Sequence, residues 1–173
     1  YEEKFDKVAL TALAVTEAEQ AEAEALVGEE LKKAIRLAKR NIETFHAAQR
    51  FESKRVETQP GVTCWQKAVA IEKVGLYIPG GTAPLFSTVL MLAVPARIAG
   101  CKEIVLCTPP GKDGKVHPAV LFAAKVAGIN RIFKAGGVQA IAAMAYGTEN
   151  VPDVYKIFGP GNQFVTAVKQ LVS

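Results

Sequence analysis

With 173 residues, half of them hydrophobic and 22% charged, the chain can fill one ordinary domain and is too apolar for a disordered segment or a coiled-coil rod. No window approaches the roughly 18 consecutive apolar residues of a membrane span, and the most hydrophobic stretch, 85–99, is broken by Ser87, Thr88, Pro95 and Arg97. The net charge of +4 is unevenly placed: residues 1–60 carry ten Lys and Arg against twelve Asp and Glu, and residues 61–173 carry eleven against five. The lysines of the second part are scattered without runs or interleaved aromatics, which argues against a nucleic-acid partner and fits a basic field around a small anionic ligand.

Thr16 followed by Glu19 is a capping-box pattern, so a helix is expected from Glu17. Gly28 interrupts it. Leu31, Ile35, Ala38, Ile42 and Phe45 then recur at steps of four and three, placing one apolar stripe on a longer helix with a charged back. Gln59-Pro60-Gly61 punctuates the chain, and residues 65–71 and 74–78 are expected to pair as a hairpin across Glu72-Lys73. Four units of short strand, glycine turn and helix follow. The first runs from a strand at 75–79 through Gly80-Gly81 to a helix at 85–99, and the second from 103–107 through Pro109-Pro110-Gly111 to 118–127. The third runs from 131–134 through Gly136-Gly137 to 138–146, and the fourth from 155–158 through Gly159-Pro160-Gly161 to 163–172. Such a series predicts an α/β fold, a parallel sheet with flanking helices (61–173) preceded by a helical N-terminal segment (1–60).

Cys64, Cys101 and Cys107 give an odd count with no CxxC spacing, so a reducing, cytoplasmic setting is expected, with Cys101 and Cys107 as core fillers. His46 and His117 are expected at the surface, and neither belongs to a recognisable metal-ligand or catalytic spacing. The first residue is not Met, and the last helical pattern lacks a stop signal, so the chain reads as a piece of a longer polypeptide. Apolar surface that the longer protein buries would then be exposed, and self-association or weak binding of its ligand is expected.

In parallel sheets, ligands settle at the carboxyl ends of the strands. Glycine pairs there admit positive φ and let backbone amides approach an anion beside a helix N-terminus. The turns therefore point to a nucleotide or phosphate ester, although GxGxxG with its downstream acidic residue is absent. The polar residues beside the turns are Tyr77 at the end of the first strand, Gln139 just past Gly136-Gly137, and Asn162 at an expected helix N-cap. Each also has a purely structural role open to it.

The run from Gly75 to Thr88, reading GLYIPGGTAPLFST, closely resembles histidinol dehydrogenases. So do Pro95 to Cys101, Gly136 to Ala143, Ile157 to Asn162, Asn41 to His46 and Glu57 to Val62. The Gly111 to His117 turn looks longer than in some relatives. The resemblance implies an incomplete Rossmann-like fold of the aldehyde-dehydrogenase-like type. It implies a zinc-dependent, NAD-linked homodimeric enzyme that oxidises L-histidinol through L-histidinal to L-histidine. By residue match it places NAD contacts on Tyr77, Gln139 and Asn162. It also places the general-base pair, the substrate-binding residues and the zinc ligands in a downstream portion, so that this chain alone is expected to be inactive. Two alternatives are a nucleotide- or phosphate-binding module without redox chemistry, and an aldehyde dehydrogenase relative with a cysteine nucleophile.

Overall fold

The computed structural model describes residues 10, 12–81 and 83–172. Helix α1 (Glu17–Leu26) starts at the expected capping box, with Thr16 accepting from the Glu19 amide and the Glu19 carboxylate accepting from the Thr16 amide. Gly28 caps α2 (Glu29–Ala47). Of its apolar stripe, Ile35 is buried and Leu31, Ala38 and Ile42 pack against the core, but Phe45 is 63% exposed, so the stripe loses its cover in the last turn.

The expected hairpin of 65–71 with 74–78 does not form. Instead β1 (Arg55–Gln59) pairs antiparallel with β2 (Val62–Trp65) around Pro60-Gly61, with Gly61 at φ +81° donating its amide to the Glu57 carboxylate at 2.8 Å. The strand that was assigned to the hairpin, β3 (Lys73–Tyr77), has a parallel neighbour on each side, and no edge of it is left for residues 65–71. The overlooked signal was the Pro-Gly turn itself, flanked by Val56, Thr58 and Val62.

From β3 the expected strand–helix units follow: α3 (Phe86–Ala99), β4 (Glu103–Thr108), α4 (Pro118–Val126), β5 (Arg131–Lys134), α5 (Gly137–Tyr146), β6 (Lys156–Phe158) and α6 (Gln163–Leu171). The sheet order is β5-β4-β3-β6, all parallel. Alternation along the strands divides the core in two. Val74, Leu76, Ile104, Leu106 and Ile132 face α1 to α4, while Tyr77, Val105, Cys107 and Phe133 face α5 and α6. Within β3, Gly75 stands where a Cβ would lie 2.7 Å from Met144 Sδ, so its bareness lets α5 settle onto the sheet.

Residues 13–15 cover the β5 edge: Lys134 N–H donates to Leu13 and Val15 N–H to Ile132. Lys134, nearly buried, also donates to Glu19, joining the capping box to the sheet. Burial alone would raise the Glu19 carboxyl, but hydrogen bonds from Lys134 and Thr16 outweigh it and hold the group below its ordinary value. A carboxyl depressed in the folded state adds stability above its unfolded pKa, and that stability is lost as pH falls through the lower folded value. Urea unfolding at pH 7 and pH 3 should therefore show a larger acid-induced loss for the natural chain than for Glu19→Gln, which has no charge to lose. Thr16→Ala should cost about 1 kcal/mol at neutral pH.

Candidate functional site

The chain runs from β3 outward to β4 and β5, then returns to place β6 on the opposite side of β3. Between the carboxyl ends of β3 and β6 the direction of winding reverses, which is where open α/β sheets form their ligand crevices. Tyr77 ends β3, and Asn162 opens the helix after β6.

Tyr77 is 4% exposed and turned to the α5–α6 face, where its hydroxyl accepts from the Gly137 amide at 2.9 Å. Gly137 has φ +60°, and a Cβ there would lie 3.2 Å from Gln139 Oε1, so the Gln139 carboxamide folds back over the same glycine. Tyr77 and Gln139 thus converge on the first turn of α5. Asn162 Oδ1 accepts from the Phe164 and Val165 amides at 3.0 and 3.1 Å, the expected cap. Its side chain is exposed, and its Nδ2 meets no acceptor among the described residues.

Most of the glycines at this rim serve the packing of one turn on another. A Cβ on Gly80 or on Gly136 would come within 2.6 Å of the Pro109 ring, so the turns after β3 and β5 both close on the proline that follows β4. Gly159, at φ +142°, would place a Cβ 2.1 Å from the Tyr77 carbonyl oxygen, which presses the β6 turn onto the end of β3. Gly81, by contrast, faces open space. The four turns therefore share one rim.

Pro109 and Lys169 were not singled out from sequence. Lys169, in the last turn of α6, reaches back to donate to the Gly159 carbonyl at 2.7 Å, and burial pushes its ammonium below the ordinary value. A proline directly after a strand was a readable signal for the first, whereas nothing in the pattern marks the second.

His117 is exposed as expected, and it also caps α4, its Nδ1 accepting from the Ala119 amide at 3.1 Å. His46 is half-buried and bonded to Gln49. Cys107 is fully buried, its thiol pushed up to about 12 by desolvation, and burial likewise raises Cys101. A thiolate nucleophile has no support at either position. Among the described residues no group of three or more His, Cys, Asp or Glu is placed to hold a metal ion, and no helix is long and apolar enough to cross a membrane. A cavity of about 390 Å³ opens on the other face of the rim, beside α1 and lined by Gly80, Thr108, Pro109 and His117. Tyr77, Gln139 and Asn162 do not line it.

The family model for histidinol dehydrogenase matches residues 1–173. The chain belongs to the histidinol dehydrogenase family. It is 80% identical over all 173 residues to histidinol dehydrogenase from Bacteroides fragilis and 77% identical to that from Bacteroides thetaiotaomicron, covering the whole chain and 40% of each relative. The crystal structure of histidinol dehydrogenase from Elizabethkingia anophelis superposes with a TM-score of 0.97 at 55% identity, covering 99% of this chain and 40% of that one. The chain therefore spans about two-fifths of the length of these relatives. The parallel sheet with flanking helices, expected from the sequence, is the fold of this family.

Two substitutions test the packing of the rim. Gly159→Ala should destabilise the chain by roughly 3 kcal/mol or prevent folding, because the new methyl meets main chain at a positive φ. Tyr77→Phe removes the acceptor for the Gly137 amide and should cost about 1 kcal/mol or more by urea unfolding.

Proposed function

We propose that this chain is the NAD-side portion of a histidinol dehydrogenase whose full polypeptide oxidises L-histidinol through L-histidinal to L-histidine. Family membership along the whole length supports the reading, and the observation that carries it is the reversal point between β3 and β6, with Tyr77 and Asn162 at its two strand ends and Gln139 beside Tyr77. Residues 61–173 act as an incomplete Rossmann-like nucleotide-binding domain.

The residues present fit a dinucleotide. The N-termini of α5 and α6 open beside the crevice and favour anionic oxygens. Asn162 has an amide donor to offer while its oxygen is engaged in capping, and Gln139 presents a carboxamide above Gly137. When bound, NAD supplies a two-electron acceptor for hydride. Pinned by the Gly137 amide, Tyr77 fixes the floor of the crevice, and Lys169 holds the Gly159 turn in register with it. By the family resemblance, the zinc ligands, the general base and the substrate contacts lie in the remainder of the longer polypeptide, and the enzyme is a cytoplasmic homodimer. No step is assigned to zinc on the residues of this chain.

Asn162→Asp distinguishes capping from cofactor binding. Aspartate caps a helix as well as asparagine does, so stability should hold. In place of an amide donor, however, it sets a carboxylate beside the pyrophosphate. In full-length Bacteroides fragilis histidinol dehydrogenase, the corresponding change should raise the KM for NAD about tenfold or more with the thermal midpoint unchanged. An unchanged KM would refute the assignment. The 173-residue chain alone, given L-histidinol, NAD and zinc, should turn over nothing, and measurable turnover would show that the chemistry lies within it.

A further inference from the structure

Every residue from 51 to 69 is exposed, yet the segment contains the ordered β1–β2 ribbon. An isolated two-stranded ribbon is at best marginally stable in water. Its apolar side chains are bare as well: Phe51 is 53% exposed, Val56 55%, Trp65 56% and Val69 77%. The same segment borders an apolar groove of about 750 Å³ whose walls include Phe51, Val69, Ile71, Met91, Pro95 and Phe158. Phe158 belongs to β6, whose outer edge pairs with no strand among the described residues, so groove and sheet edge meet at Phe158, and the ribbon is carried by the segment whose two ends, Phe51 and Val69, border the groove.

The exposure of the chain as a whole, and the length of chain that its relatives have beyond it, bear on what covers this face. A self-contained monomer of 18.5 kDa exposes about 8,200 Å². This chain exposes 10650 Å², an excess of about 2,400 Å². One partner in a standard protein–protein interface contributes about 800 Å², so the chain as a whole, this face included, exposes more surface than one docking patch accounts for. The relatives have about three-fifths of their length beyond the portion matched here, enough chain to cover this face.

We infer that the face made by residues 51–71, the α3 side of the groove and the outer edge of β6 is an intramolecular interface. Its occupant is the remaining three-fifths of the full-length polypeptide, packed against it through an apolar surface. This follows from family membership and surface area and does not depend on where NAD sits.

Hydrogen exchange, read by mass spectrometry, on this 173-residue chain and on full-length Bacteroides fragilis histidinol dehydrogenase tests the inference. Amides in 51–71 should exchange freely in the chain and be slowed about a hundredfold or more at the corresponding positions of the full-length protein. Equal exchange in the two would overturn it. The comparison is read at a chain concentration that gives a monomer mass by light scattering, because an uncovered apolar face also favours self-association. Val69→Asp gives an independent measure. It should leave the chain's thermal midpoint unchanged, since Val69 already faces water, and lower that of the full-length protein by several degrees. No change in the full-length protein would overturn the inference, and if that variant is not recovered in soluble form, the exchange comparison on unaltered proteins still decides.

Discussion

Gly80 and Gly136 each lack the atom that would come within 2.6 Å of Pro109, and Gly159 lacks the one that would come within 2.1 Å of the Tyr77 carbonyl. These bare positions let four turns from four strands sit against one another at a single rim. A methyl group at any of them would push one turn away from its neighbour, and the geometry of Tyr77, Gln139 and Asn162 would go with it. Close approach of main chain to main chain is therefore the constraint on which the candidate crevice depends. The helix N-termini open on the candidate crevice only because the turns that carry them are held together.

The two faces of the sheet divide the work. On one, α1 to α4 pack the larger core and tie the N-terminal segment to the β5 edge through Glu19 and Lys134. On the other, α5 and α6 bury a smaller core in which Tyr77 takes part as a structural residue before any ligand is considered. Because Tyr77 belongs to both core and rim, a change there disturbs the fold together with the proposed crevice, so it is a clean probe of neither. Asn162 is the better probe, because its capping oxygen and its outward amide are separate atoms.

Much of this was legible in the sequence because it is local. The Thr16–Glu19 capping box, the Gly28 break and the four strand–turn–helix units each lie within a few residues of one another, where hydrogen-bond geometry and hydrophobic period act directly. The Asn162 cap was readable for the same reason. The hairpin was misassigned because residues 65–71 and 74–78 satisfy a local pattern, while the partners that claim β3, namely β4 and β6, are remote in the chain.

By itself, then, the sequence determined the fold class, the family and the residue types at the strand ends, since these follow from short-range periodicity and long matched phrases. Only the tertiary structure decided that Tyr77 and Gln139 meet at Gly137, that Pro109 is the wedge between two glycine turns, and that Lys169 reaches back to Gly159. Those contacts join segments up to 60 residues apart. Such distances are set by how helices and strands stack, and spacing along the chain does not encode them.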